Sequence, residues 1–308
     1  MNDHIEAAIP LAPAELHRVL AWACHQRLTP GTPGEDRSVP DATLALEEHF
    51  LADECARVEP RAAIAPKEPD AFRTWFEDLQ STGPGQDDPL FDFLAESADR
   101  EQMRWFLAQE AAGEAGFDDL VALTQVKLPE RPKLEMAKNY WDEMGRGRAD
   151  AMHGPMLTRL GDELKLDELE MEPVWESLAL ANLMAGFALQ RTYAYHSVGA
   201  LGVVELTAPA RCRKVAAGLE RLGIDASARK YYALHSHIDV VHSRRWNDDV
   251  IDPLVIAMPE VSTWIAQGAL ARLFAGKRTF DRYRIELGLS TPADTTIRRP
   301  ARSQASAR

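Results

Sequence analysis

The sequence predicts an all-α protein. Apolar residues recur every three to four positions, helix start and stop signals separate these stretches, and alternating runs of β-branched residues are nearly absent. The predicted helices cover residues 13–28, 40–58, 68–79, 90–113, 133–145, 149–164, 174–206, 208–222 and 226–245, with more helix within 247–275. Pro40 with Asp41 and Thr207 to Pro209 are typical helix starts, and Gly223 fits the C′ position after a helix.

The chain of 308 residues is long enough for one large domain or two small ones. The turn-rich segment 81–89 indicates a boundary between an N-terminal helical extension, residues 1–85, and a helical bundle, residues 86–290. The remaining residues, 291–308, are rich in Ser, Thr, Arg and Ala and lack an apolar period, so we expect a flexible tail.

Composition excludes several functional classes. The net charge of −13 argues against nucleic acid or an anionic membrane as the partner. The longest apolar stretch, residues 178–204, is interrupted by Gln190, Arg191 and His196, which favours a buried helix over a membrane span. The three cysteines are far apart and odd in number, so neither a disulfide framework nor a cysteine-rich zinc site is predicted. With no signal-peptide pattern at the start of the sequence, we expect a cytoplasmic protein.

The segment from His235 to His242 is the most informative one for function. On a helix, with about 100° per residue, Asp239 lies roughly 40° from His235, and His242 returns to within about 20° of it. His237 projects from the opposite face. Two imidazoles and one carboxylate in one stripe are typical of a metal site in a helix bundle and suit iron or manganese. The alternative interpretation is an exposed polar stripe.

A second group of candidate ligands precedes this stripe by about a hundred residues. Glu143 and His153 are separated by Gly145 and Gly147, which should end the helix that carries Glu143. The two residues therefore belong to successive elements. Asp150, one helical turn before His153, competes with Glu143 for the same role.

Two more carboxylates end apolar helical runs. Glu205 follows the apolar residues 198–204, where a carboxylate is costly unless it is paired or bound to a metal; the alternative is a helix-end glutamate turned to water. Glu110 ends a run that begins near Trp105, Glu114 one turn on is a plausible substitute, and a solvated surface glutamate is the commoner interpretation of Glu110 alone.

These residues resemble the haem-oxygenase-like diiron oxidases and oxygenases, often called iron-containing redox enzymes. The similarity covers roughly residues 90–250 and includes the Phe-Leu-x-Gln-Glu ending at Glu110, the Glu-x-Gly-x-Gly-Arg segment from Glu143 with the Met-His pair ending at His153, and the Asn-Leu-Met sequence at 182–184. The resemblance implies a bundle of about seven core helices. The implied metal ligands are Glu110, Glu143, His153, Glu205, His235, Asp239 and His242.

The resemblance also implies roles. Glu143 matches an additional carboxylate, from an accessory helix, that is typical of the N-oxygenating members, and we expect it to be catalytic. The acidic residue three before the histidine is usually glutamate but is the shorter Asp150 here, so it is not assigned to the metal. A set of three or four carboxylates and three histidines is too large for one metal, so we expect two iron ions, with dioxygen as cosubstrate.

The leading hypothesis is therefore a nonhaem diiron oxygenase that N-oxygenates a small amine in natural-product metabolism, with an external electron donor. Oxidative C–C cleavage or desaturation of an amino or fatty acid is the alternative within the same class. Outside it stand a non-enzymatic helical binding protein, for haem or for a partner held by residues 1–85, and a thiamin-degrading relative, which would need a pocket cysteine. We expect a small-molecule substrate, in a pocket lined by Phe187, Tyr195, Gly199 and Gly202. A homodimer is left open.

Overall fold

The computed structural model describes residues 11–289. This part of the chain contains no strand, and the all-α prediction is confirmed. Its α-helices are α1 Pro13–Leu28, α2 Asp41–Ala62, α3 Pro69–Thr82, α4 Pro89–Glu96, α5 Arg100–Gly113, α6 Phe117–Thr124, α7 Glu130–Glu143, α8 His153–Leu164, α9 Trp175–Leu189, α10 Ala194–Arg221, α11 Lys230–Trp246, α12 Asp252–Ala257 and α13 Val261–Glu286. The predicted tail, residues 291–308, lies outside the described residues.

Helix α10 is the central element of the bundle, and it packs mainly against α11 and α13. Two glycines let α10 and α13 approach closely. A Cβ at Gly199 would lie 1.9 Å from the carbonyl oxygen of Ile265, and one at Gly268 would lie 1.9 Å from that of His196. Any side chain at either position would force the two helices apart.

The N-terminal helices pack onto the bundle. α1 lies against α9, and α2 lies against α13. Buried Leu51, Phe72 and Phe76 join one hydrophobic cluster with residues of α9, α10 and α13, while a second cluster joins α4 and α5 to the far ends of α10 and α13. The division of the chain at residue 85 stays a prediction.

The structure corrects the helix predicted over residues 90–113, which is two helices. The first ends at Glu96, and the second begins after Asp99. The Asp99 carboxylate accepts the Gln102 backbone N–H, and the Gln102 side chain accepts the Asp99 backbone N–H. This capping box satisfies two backbone donors at the start of α5, so a new helix is favoured there.

The predicted break at Thr207 to Pro209 is wrong, because α10 runs through Pro209. The break lies at residues 190–193 instead, where Gln190 has an extended backbone. A proline inside a helix removes the hydrogen bond to the carbonyl four residues earlier, which here belongs to Glu205. Packing of α10 between α11 and α13 outweighs this loss. The helix start predicted at Pro40 and Asp41 is confirmed, because α2 begins at Asp41. The C′ position predicted for Gly223 is confirmed by its φ of +74° after α10.

No helix of residues 11–289 is both long and apolar enough to cross a membrane. The single helix predicted over residues 174–206 is divided between α9 and α10. Most of its apolar residues are buried against other helices of the bundle.

Candidate metal centre

The predicted stripe on α11 faces the interior of the bundle. His235, Asp239 and His242 are buried, whereas His237 is exposed. His237 hydrogen-bonds only near its own turn, to the Ala233 carbonyl and to Ser236. The alternative of an exposed polar stripe is therefore excluded for this face of α11.

Glu143 and His153 meet at the corner between α7 and α8. Glu143 is the last residue of α7, and His153 is the first residue of α8. Gly145 and Gly147 have φ +59° and +83°, and a Cβ at Gly145 would lie 2.4 Å from the Ala151 carbonyl carbon. The glycines therefore permit the tight reversal that brings the Glu143 carboxylate to 2.6 Å from Nδ1 of His153.

Glu205 enters the site from α10 and is buried, so the interpretation of a glutamate turned to water is wrong. One carboxylate oxygen accepts a hydrogen bond of 2.6 Å from the Asn139 amide on α7. The other lies 3.5 Å from Nδ1 of His242. No pattern in the sequence pointed to Asn139, whose amide orients Glu205.

The candidate ligands form two groups of three. The first group is Glu143, His153 and His235, and the second is Glu205, Asp239 and His242; in each, the three ligand atoms lie within 4.8 Å of one another. The two groups adjoin, since Glu143 and His235 of the first line the same cavity as Glu205 and Asp239 of the second. Within the first group, the rings of His153 and His235 meet edge to face at 4.6 Å. Each group offers carboxylate oxygen and imidazole nitrogen, the donor set that suits iron.

Hydrogen bonds on the far side of two imidazoles decide which nitrogen faces the site. Nδ1 of His235 lies 2.8 Å from the Tyr231 carbonyl oxygen, which leaves Nε2 for a metal. His242 has the opposite arrangement: Nε2 lies 3.2 Å from a carboxylate oxygen of Asp142, and Nδ1 faces Glu205 and Asp239. Asp142 is held in turn by Arg146 at 2.6 Å.

Three ligand atoms of the site are fully buried and make no hydrogen bond of acceptable geometry: Nδ1 of His153, Oδ1 of Asp239 and Nδ1 of His242. Nδ1 of His153 lies 2.6 Å from the Glu143 carboxylate, and Nδ1 of His242 lies 3.5 Å from that of Glu205, but neither contact is aligned as a hydrogen bond. Buried polar atoms are almost always satisfied, so each such atom calls for an explanation. Both groups of three contain one or two of these atoms, pointing inward. A cation in each group would satisfy them, and the residues present therefore fit two metal ions.

Burial and mutual repulsion shift the ionisation of these groups. Burial, with the nearby charge of Glu205, raises the pKa of Glu143 and that of Asp239 well above their usual range. Burial lowers the pKa of His153 and that of His235 to about 4. For His242, burial acts in the same direction, but Glu205 and Asp142 outweigh it and raise the pKa to about 9. Without metal, the site therefore holds buried carboxylates close together against their mutual electrostatic repulsion and desolvation. Divalent cations would offset both terms.

The structure does not bring Glu110 into either group. Glu110 lies near Arg211 and Arg272 and within hydrogen-bonding reach of the Tyr283 hydroxyl. Glu114 lines the cavity that contains Glu143, Glu205, His235 and Asp239. α5 ends at Gly113, so Glu114 lies just after the helix and has an extended backbone. Its carboxylate accepts the Phe117 backbone N–H at 2.9 Å. Asp150 is exposed and pairs with Arg148.

Among the described residues that line the cavity beside the metal centre, none belongs to the four that were expected to line the substrate pocket. The residues expected there serve packing instead: the space beside Gly199 is filled by Ile265, and that beside Gly202 by Trp246. Phe187 is fully buried in the hydrophobic core, and Tyr195 stacks on Trp264. Cys212, by contrast, does line the cavity. Burial, then the charge of Asp239, raises the pKa of its thiol far above the usual range, which opposes a nucleophilic role.

Comparisons with known proteins agree with this geometry. The chain is 27% identical over 222 residues to a nitrosourea synthase of Streptomyces achromogenes subsp. streptozoticus, a match that covers 69% of this chain and 46% of that protein. The chain thus matches about half the length of this relative. The sequence model of the family described as "iron-containing redox enzyme" matches residues 104–277, more than half of the chain, and includes every ligand of both groups. The chain therefore belongs to the haem-oxygenase-like family of iron-containing redox enzymes.

Proposed function

We propose that this protein is a nonhaem diiron oxygenase that uses dioxygen to oxidise the nitrogen of a small amine in natural-product metabolism. The observation that carries the proposal is the pair of adjoining three-residue groups with buried, unpartnered ligand atoms. A mononuclear site would need only one of these groups, and a haem site would need one axial histidine without the carboxylates.

Each part of the site has a defined task in this proposal. Glu143, His153 and His235 would hold one iron, and Glu205, Asp239 and His242 the other. Iron in such a site activates dioxygen. The carboxylates offset the charge of two divalent ions, and the tyrosine carbonyl and Asp142 fix the two imidazole orientations. The cavity beside both groups gives a substrate access to the irons.

Two observations support nitrogen as the oxidised atom. Glu143 provides the additional carboxylate that the resemblance ties to N-oxygenating members, and it lies in direct contact with His153. The relative named above carries a product name that contains a nitroso group on nitrogen. An external donor would supply the electrons that dioxygen reduction needs beyond those from the amine, and a cytoplasmic location would suit such a donor.

The experiment begins with anaerobic titration of the protein with ferrous iron. We expect saturation at about two irons per chain and, after dioxygen is admitted, consumption that depends on an added amine, with hydroxylamine, nitroso or nitro products by mass spectrometry. Saturation at one iron would contradict the diiron site. Two irons with alkene or carbon-cleavage products would replace N-oxygenation by desaturation or C–C cleavage. No oxygen consumption with any substrate would favour a non-enzymatic binding protein.

A further inference from the structure

A second polar chamber adjoins the metal centre, and its charged residues Glu110, Arg211 and Arg272 belong to neither three-residue group. It encloses about 120 Å³, several times the space that one water needs. Arg211 of α10, Arg272 of α13, Glu110 of α5 and the α11 residue Tyr232 line it, and we call these residues the arginine chamber. The two spaces adjoin, because five residues line both this chamber and the cavity of the metal centre: Glu114, Val204, Ala208, Cys212 and Tyr231.

The guanidinium groups of Arg211 and Arg272 lack an ionic partner, and that of Arg211 is held by rings and a hydroxyl. Arg211 lies over the Phe91 and Phe280 rings, with its Cζ 6.0 and 5.7 Å from their centroids, and donates to the Thr207 hydroxyl at 3.2 Å. These contacts hold the group without neutralising it. Among residues 11–289, no carboxylate oxygen lies within 4.0 Å of the guanidinium of Arg211 or that of Arg272.

The absence of a side chain at Gly276, one turn after Arg272, leaves space for the Arg272 guanidinium. A Cβ there would lie 2.7 Å from Nη1 of Arg272. Burial, then the positive charge of Arg211, lowers the pKa of Arg272 to about 10, which still leaves it charged at neutral pH. Two enclosed positive charges that repel each other create a strong preference for an anion between them.

Glu110 adds a negative group to the same chamber. It interacts with both arginines through charge alone and is within hydrogen-bonding reach of the Tyr283 hydroxyl only. Burial raises its pKa, while Arg211 and Arg272 oppose the rise. The chamber thus presents two cationic groups and the Glu110 carboxylate, close but not paired with one another, while a second carboxylate, that of Glu114, lines its boundary with the metal centre. A ligand that carries one negative and one positive group would complement both.

We propose that the arginine chamber binds the head group of an α-amino-acid substrate, with the carboxylate on Arg211 and Arg272 and the ammonium on Glu110, while the side chain of the substrate extends past Cys212 to the metal centre. This inference rests on the proposed function and deepens it, since it identifies the amine to be oxidised as one carried on the side chain of an amino acid. The α-amine, held by Glu110 in the chamber, would be kept away from the metals.

The test measures binding to the iron-loaded protein without dioxygen, so that no turnover occurs. The probes are L-lysine, cadaverine, which lacks the carboxylate, and 6-aminohexanoate, which lacks the α-amine; L-arginine and agmatine form a second pair. We expect the loss of the carboxylate to weaken binding about thirtyfold and the loss of the α-amine about tenfold. Equal binding of an amino acid and its decarboxylated partner, or no binding of either amino acid, would overturn the proposal.

Variants locate the effect. Arg272→Gln and Arg211→Gln should remove most of the preference for L-lysine over cadaverine, and Glu110→Gln most of the preference for L-lysine over 6-aminohexanoate. Gly276→Ala keeps the charge of Arg272 but displaces its guanidinium, and should reduce the same preference as Arg272→Gln. Arg213→Gln is the matched control, because Arg213 lies on the same helix and is exposed. Unchanged preferences in Arg272→Gln and Gly276→Ala, with thermal unfolding intact, would contradict the chamber's role.

Failure of this inference is distinguishable from failure of the proposed function. Iron content and dioxygen consumption are recorded on the same preparations. Carboxylate-dependent binding without dioxygen consumption would retain the head-group site and reject the oxygenase. Dioxygen consumption with amines that lack a carboxylate, at the same efficiency, would retain the oxygenase and reject the head-group site.

Discussion

The metal centre and the arginine chamber lie side by side along α10, yet their unpartnered atoms have opposite character. In the metal centre the buried atoms without a hydrogen bond are of the kinds that ligate metals, Nδ1 of two histidines and one carboxylate oxygen. In the arginine chamber the groups without ionic partners are guanidinium cations. Each region is incomplete in a way that specifies its ligand: cations for the first, an anion for the second. The protein alone satisfies neither region.

The sharpest test of this contrast removes one ligand from the metal centre. His235→Ala, Asp239→Ala and His242→Ala should each lower dioxygen consumption by more than about a hundredfold, because each leaves one three-residue group with two ligands. Iron per chain should fall in parallel. His237→Ala is the matched control, since His237 lies on the same helix but is exposed. A well-folded, inactive His237→Ala would break the assignment of the two faces of α11.

Asp142 tests whether the metal centre depends on residues that touch no metal. Its carboxylate holds Nε2 of His242 at 3.2 Å and so directs Nδ1 into the site. Asp142→Ala should weaken iron binding by about tenfold to a hundredfold, as is common for residues that orient a ligand histidine. Asp150→Ala, which removes an exposed carboxylate paired with Arg148, is the control. Iron affinity unchanged in Asp142→Ala would show that packing alone orients His242.

A Glu143 variant tests whether this residue is needed to bind iron or to direct the reaction. It ends α7 beside a glycine-rich reversal, and two histidines remain in its group when it is removed. We expect Glu143→Ala to retain more than half of the iron but to lose about a hundredfold in N-oxygenated product, the lower end of what one positioned catalytic group contributes. Both quantities are measured on one preparation. Unchanged product yield would move the leading function to C–C cleavage or desaturation.

Local patterns predicted the parts of the metal centre that lie on one helix. The spacing of His235, Asp239 and His242 follows from helical geometry, and Gly145 and Gly147 correctly ended the helix of Glu143. What local spacing cannot supply is contact between distant elements. Asp142 on α7 reaches His242 on α11, a hundred residues away, and the sequence gives no period that links them.

The same limit explains the residues that were chosen wrongly for the pocket. Gly199 and Gly202 were expected to open space near Glu205, but small residues on a central helix also allow close packing, and the partners Ile265 and Trp246 use that space. The arginine chamber combines α5, α10, α11 and α13, so no single segment displays it. The choice between Glu110 and Glu114 depended on where α5 ends, and helix ends are the least certain part of such predictions.

The smallest expected effect concerns His196, a buried histidine outside both regions, whose Nε2 is bonded within the protein and whose Nδ1 makes no hydrogen bond. Nε2 of His196 lies 3.0 Å from the Gln267 side-chain oxygen, and burial lowers the pKa of His196 to about 4. The unfolded chain, with a histidine pKa near 6.5, binds the proton more readily. Stability is therefore complete above pH 6.5 and falls as the pH drops toward 4. At pH 5 the loss from this one residue is about 2 kcal/mol of the free energy of unfolding.

The test is urea unfolding of the metal-free protein at pH 7 and at pH 5. Between these pH values the free energy of unfolding should fall by about 2 kcal/mol less in His196→Gln than in the unaltered chain. The exposed-residue variant His49→Gln should behave like the unaltered chain. The activity of His196→Gln at neutral pH should stay unchanged. An equal acid loss in His196→Gln would mean that the folded protein accommodates the charged imidazole, and that burial of this histidine has little cost for its protonation.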